Sequence, residues 1–330
     1  IEVLKDGYST IYGCDAIACF VNIITRTDYN GAEANVYFGK NGQGDGTNQQ
    51  YDFTAGKSVG NASFMVGGTY AETDPVWARD RDYALYPKGV LHPTEGLSSF
   101  GPGGLISNGP GGDAYKLNEG GDPTKFSDYH SYLGAADNYN ADQQMMLASG
   151  SKRKSIFAKA AYKFGDNLNL HGDALYNERT ANIQVAGYPV GTATTGLVLD
   201  KNSYYNPLGV QSGYATPQDV EFLRRGTENP RLTKNTVKTY RLGGGIDGAF
   251  SAGEHYFTWD VSAFINKNTG HIFGTGNYDL VKMQQALGPS FKDTDGVAKG
   301  GTPGAAITGC TPLNALAGDG GWTRDMLDYF

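Results

Sequence analysis

A chain of 330 residues can hold two ordinary domains or one large β domain, so length alone does not choose between them. The formal charge of -7 and a pI near 5.2 leave no basic stripe that could displace counterions from a phosphate backbone, which argues against a nucleic-acid partner. With 48 glycines, 22 tyrosines and 18% charged residues, the composition suits many strands joined by irregular loops and argues against a helical bundle.

No run of about 18 apolar residues occurs, so no transmembrane helix is encoded. A β-strand crosses a bilayer with about 9 to 11 residues whose alternate side chains face lipid, so a mean hydropathy of -0.43 fits a soluble β protein and a barrel equally. The chain has no initiating Met and no charged-then-apolar leader, and it reads as a fragment of a longer protein.

Residues 1–26 place two short apolar runs, Ile1 to Leu4 and Phe20 to Ile24, around a connector with Gly7 and Gly13. That order predicts strand, sharp turns, strand, because glycine turns without a Cβ penalty. From Gly31 to Phe38 the alternation is loose, and a polar Gly-rich loop follows over 39–48. Clean alternation then marks strands near 50–58 and 62–73, with Tyr51, Phe53 and Ala55 on one face and Asp52 and Thr54 on the other. Over 74–150 Gly, Pro, Asn and Asp dominate, and FGPGGLISNGPGG (100–112) is expected to hold no regular element. Alternation resumes near 154–165 and 168–179, lapses over 181–235, and returns near 237–250 and 256–268. The last stretch is loop, with WTRDMLDYF reading as a loop helix.

Short turns at 59–61, 165–167 and 251–255 fall on one end, and the long connections 39–48, 74–150, 181–235 and 270–330 on the other. Transmembrane barrels have that asymmetry, and a soluble sandwich has no physical reason for it. Tyr51, Tyr70, Phe164, Tyr176, Tyr240, Phe250 and Phe257 are placed near strand ends, where rings can sit at headgroup level.

The opening string IEVLKDGYSTIYGCDAIACFVNIITR resembles the end of the plug domain of TonB-dependent outer-membrane receptors, matching at Ile1 to Lys5, Gly7, Tyr12, Gly13, Ala16, Ile17 and Val21 to Arg26. It departs at Asp6, and at Cys14 and Cys19, where small residues are usual. The resemblance implies an all-β chain: the C-terminal piece of a plug over 1–26, then a partial antiparallel transmembrane barrel over 27–330 with seven of about 22 strands. It implies the outer membrane of a Gram-negative cell, outer-membrane lipid around the strands, and the TonB complex as energy source through a segment upstream of Ile1. Gly7, Tyr12, Gly13, Asn22 and Arg26 would form the plug-to-barrel junction. The cargo would be a scarce nutrient such as an iron-siderophore, cobalamin, an oligosaccharide or a peptide. The alternatives are a soluble or surface-attached glycan-binding β protein and an envelope-signalling receptor.

Chemistry is not expected. The five histidines are scattered, no GxSxG or CxxC occurs, and neither a catalytic residue, a metal nor a cofactor is assigned. Asp293 and Asp295 before Gly296 lack the later ligands of a calcium loop. Cys14 and Cys19, five apart, leave a local disulfide open beside the plainer reading of free thiols. Cys310 lies in GCTPLNALAG, similar to a loop segment of large receptors of the same family, but without the preceding cysteine that would pair with it. Recognition falls to the long loops. Residues 74–150 carry ten acidic against five basic residues, and Trp77, Tyr83, Tyr86, Tyr129 and Tyr132 are the ligand-binding candidates.

Overall fold

The computed structural model describes residues 2–4, 20–22, 25–26 and 29–330. Near the start, Glu2–Leu4 pairs antiparallel with Phe20–Asn22. The main body is one seven-stranded antiparallel sheet: β1 (Gly31–Gly39), β2 (Asn48–Val59), β3 (Ala62–Thr73), β4 (Gly150–Phe164), β5 (Leu168–Val185), β6 (Arg231–Ala252) and β7 (His255–Thr275). Each strand pairs with its neighbours in sequence, so the sheet is a plain meander from β1 at one edge to β7 at the other.

Three tight turns join strands at one end, and each opens on a glycine in the left-handed region: Gly60 (φ 58), Gly165 (φ 64) and Gly253 (φ 61). Gly60 and Gly253 begin two-residue hairpin loops with a residue of negative φ second, the pattern whose twist matches paired strands. The tips do not lie level. Ala62 at the first tip pairs with Tyr162, two residues short of the end of β4, and Leu168 at the second pairs with Gly248, four short of the end of β6. Each hairpin therefore slides along its predecessor in one sense, as a sheet of tilted strands requires.

Directly paired residues share a face, so the register sorts the side chains. One face carries Val36, Tyr51, Phe53, Phe64, Val66, Ile156, Tyr162, Phe164, Leu170, Tyr176, Tyr240, Leu242, Ile246, Trp259, Val261 and Ile265. The other carries Asp52, Thr54, Lys159, Lys163, Asn169, His171, Asp173, Arg241, Asp247 and Asp260. The apolar face is bare: Phe164 is 53% exposed, Leu242 62% and Ile265 73%. Among the described residues, Met65 is the single buried hydrophobic side chain of the seven strands.

The core sits elsewhere, in a cap built by the three long connections. Ile106 from the first, Val190, Leu199, Leu208, Val220 and Phe222 from the second, and Met283, Leu287, Leu313, Leu316 and Trp322 from the third form one buried cluster. These connections are more regular than their Gly and Pro content predicts. A five-stranded sheet orders Tyr188–Gly191, Glu221–Gly226, Leu105–Asn108, Tyr115–Leu117 and Tyr129–Ser131. Leu105–Asn108 lies inside the 100–112 run expected to hold nothing regular; Leu105 and Ile106 are buried, and pairing with 221–226 and 115–117 satisfies a backbone that the local sequence leaves undecided. Two helices follow β7: α1 (Leu280–Leu287), capped by the Asp279 carboxylate accepting from Val281 N and Lys282 N, and α2 (Arg324–Tyr329), capped by Thr323, which is the helix that WTRDMLDYF predicts.

The sheet strands also exceed their expected limits. β5 runs on to Val185 and β6 starts at Arg231, both inside the 181–235 stretch expected to be irregular. Tyr176 and Tyr240 consequently lie within strands rather than at their ends. Polar extensions such as Thr180 opposite Thr236 keep the ladder going where the apolar alternation that signals a strand has stopped.

Candidate functional site

Two aromatic rows bound the apolar face. Toward the cap, Tyr51 and Tyr70 (6.2 Å between centroids) and Tyr176 and Tyr240 (5.0 Å) stand in register across paired strands. Toward the tight turns stand Tyr162 and Phe164 (4.6 Å), stacked Phe250 and Phe257 (5.3 Å), and Trp259. From Tyr240 to Phe250 the strand rises about 33 Å, which at a tilt of about 40° spans about 25 Å, the height of a barrel's apolar band. Glycines let rings lie flat: a Cβ on Gly248 would meet Trp259 at 2.8 Å, and one on Gly68 would meet Phe53 at 2.7 Å.

The polar face is a network. Arg241 Nε lies 3.5 Å from the Asp173 carboxylate, and His171 Nδ1 and Asn169 Nδ2 lie 3.1 and 2.9 Å from Asp247 Oδ1. A cavity of about 590 Å³ opens among Asn30, Ser58, Lys159, Asn169, His171 and Asp173, and the buried Ser58 Oγ and Asn169 Oδ1 have no partner there among the described residues. Lys159 Nζ donates to Thr25 Oγ1 and, at 3.3 Å, to the Arg26 carbonyl. The segment entering β1 is therefore held against the polar face. Arg26 itself reaches Glu33 at 3.8 Å and stands 5.7 Å over the Tyr29 ring.

Of the residues expected at a plug-to-barrel junction, Arg26 is thus placed beside the sheet and Asn22 pairs with Glu2. Gly7, Tyr12 and Gly13 lie outside the described residues, as do Cys14 and Cys19. Cys310 is buried with a free thiol, and burial pushes its pKa up.

In the cap the candidate aromatic residues take different roles. Tyr129 stacks on Phe126 and donates its hydroxyl to the Pro123 carbonyl at 2.8 Å, and burial pushes its phenol far up. Tyr132 donates to Asn138 Oδ1, and the Arg79 guanidinium lies 4.5 Å over Trp77. Tyr86 is half-buried and Tyr83 is 71% exposed. Among the described residues no ring contact joins any two of the five.

Sequence reasoning missed the residues that tie the cap together. Arg224, fully buried, holds Glu228 at 2.6 Å and the Gly318 carbonyl at 3.1 Å, and lies 4.5 Å over the Trp322 ring. Burial drags its pKa down while Glu228 opposes the shift. Trp322 Nε1 donates to the Asn314 carbonyl at 3.0 Å, and its ring meets Tyr278 and Phe330 edge-on. Arg225, facing the other way on the same strand, donates to the carbonyls of Phe100 and Gly187 and to Ser98 Oγ. An arginine at an inward position of EFLRRG breaks the apolar alternation, so the pattern carries no signal for this strand. At the cap's margin, Arg81 and Asp45 pair at 2.7 Å between the β1–β2 loop and the first long connection, and the guanidinium holds the carboxyl below its usual 3.8. Asp293 accepts from the backbone of Asp295 and Val297 and from Lys299 at 2.6 Å.

No family model matches the chain, and no curated protein and no solved structure matches it.

Proposed function

We propose that this chain forms part of a TonB-dependent outer-membrane receptor: the junction between plug and barrel, seven adjoining barrel strands, and an extracellular cap. The observation that carries the reading is the seven-stranded sheet with one bare apolar face between two aromatic rows and a charged opposite face. An exposed apolar surface of that extent marks a membrane or protein contact, and the two rows match the interfaces of a bilayer. The plug-like opening string and the hold of Lys159 on Thr25 and Arg26 agree with a chain that passes from an occluded lumen into the wall.

A sheet with two free edges cannot span hydrocarbon, so the closing strands come from further chain. No covalent step is assigned to any residue. Nutrient binds at the cap, the plug blocks the lumen, and energy from TonB moves the plug. The experiment is uptake of iron chelates, cobalamin and oligosaccharides by cells carrying the full-length protein, with and without TonB, beside a deletion of residues 7–18. Uptake of one class that needs TonB, and that is lost or replaced by solute leakage on deletion, is the expected result. Unchanged TonB-dependent uptake by the deletion variant removes the gating role, and binding of a glycan with no transport would favour the glycan-binding alternative.

A further inference from the structure

Past the tyrosines on the apolar face, toward the cap, lysines stand among Gln49, Glu72 and Glu178. Lys154 pairs in register with Glu178 and Glu178 with Lys238; one step outward Lys152 pairs with Glu72, and beyond it Lys234 with Asn182; one step inward Lys267 pairs with Tyr240. Five lysines thus share this face within four adjacent strands, spread over about 20 Å of strand from Lys234 to Lys267. Two are neutralised: Lys152 lies 2.7 Å from Glu72 and Lys238 lies 3.3 Å from Glu178. The same carboxylates accept from the Tyr70 hydroxyl and, at 2.8 Å, from the Tyr176 hydroxyl. Lys154, Lys234 and Lys267 are exposed and have no ion-pair partner among the described residues. At the opposite border of this face the strands carry one lysine, Lys57.

On this face the lysines therefore gather toward the cap-side border, while Arg153 and Arg179, in register with each other, carry further positive charge on the polar face. We propose that this patch binds a phosphate-bearing lipid headgroup in the leaflet on the cap side. A lysine ammonium binds phosphate as a point charge, and several near a membrane surface add their attraction for anionic lipid. The occupant is a lipid rather than a free anion because the next side chains inward are Tyr176, Tyr240, Ile156 and Leu242, against which acyl chains would lie while the phosphate meets the ammonium groups. The inference rests on the membrane-spanning reading.

The test places the full-length protein in nanodiscs of phosphatidylcholine mixed with phosphatidic acid and measures by native mass spectrometry which lipid stays bound on release. Wild type should retain phosphatidic acid over phosphatidylcholine by on the order of tenfold or more. K154Q/K234Q/K267Q should fall below about threefold, K154R/K234R/K267R should recover the preference, and K57Q should match wild type. Excess inorganic phosphate should not displace the lipid. A glutamine variant that keeps the full preference overturns the proposal, as does ready displacement by inorganic phosphate, which would mean a free-anion site. Brominated acyl chains in the same nanodiscs report separately on the reading beneath it: quenching of Trp259 without any lipid preference sinks the patch alone, whereas an unquenched Trp259 sinks both.

Discussion

The sheet and the cap place their apolar surface in opposite ways. In the cap, three connections rich in glycine and proline gather Ile106, Phe222, Leu313 and Trp322 into a dry centre, as a water-soluble domain does. In the sheet, longer and more regular strands leave Leu242, Val261 and Ile265 bare, and nothing in the described chain covers them. Regular secondary structure is thus not where this molecule keeps its core. On the proposed membrane reading the difference corresponds to two solvents: water excluded from inside the cap, and hydrocarbon outside the sheet.

The comparison breaks most visibly in the cap. Phe222→Ala, at a fully buried position, should cost about 3–5 kcal/mol of cap stability. Hydrogen exchange should rise across 186–226 and 277–330 while the paired amides of β4 to β6 stay protected; a loss of protection spread evenly over both regions would mean that they share one core.

Next in size is the sheet. Ile246 and Asp247 are neighbours on opposite faces, and Ile246 lies about midway between the aromatic rows, so Ile246→Arg should cost about 2–4 kcal/mol of folding into lipid vesicles, while Thr239→Arg on the polar face should be nearly silent. Equal folding yields for the two variants would remove the distinction between the faces.

The smallest effect sharpens the boundary between the regions. Arg81 holds the Asp45 pKa below its ordinary 3.8, so the stability from this pair is present above the unfolded pKa and is lost as pH falls through the lower folded value. Local exchange in the β1–β2 loop and at 78–84 should rise in that acid window in wild type. Asp45→Asn should show the raised exchange already at neutral pH, with the rest of the cap unaffected; a pH response identical in Asp45→Asn would assign it to other groups.

The sheet was legible because its determinants are local: period-two alternation sets faces, and Gly60, Gly165 and Gly253 set the turns. Strand lengths were less so, because the ladder beyond Tyr176 and Tyr240 runs through residues such as Thr180, Asn182, Lys234 and Thr236 that give no apolar period. The cap was nearly opaque. Its strands are short, its inward positions include Arg224, and its pairings join residues more than a hundred apart, such as Ile106 with Phe222. Residue type alone marks the candidate rings, and type does not distinguish the half-buried Tyr129 phenol from the exposed Tyr83 ring. Lys159 carried no motif at all; its role follows from the fold bringing Thr25 and Arg26 across the sheet.

The most direct measurement is fluorescence of the full-length protein in bilayers, wild type against Trp259→Phe. Trp259 stands in the turn-side aromatic row of the bare face, whereas Trp77 and Trp322 belong to the cap. Brominated acyl chains should quench a component of the wild-type emission that aqueous iodide does not reach, and that component should vanish in Trp259→Phe. An emission insensitive to brominated chains, or one whose lipid-quenched part survives the substitution, would contradict a sheet facing hydrocarbon.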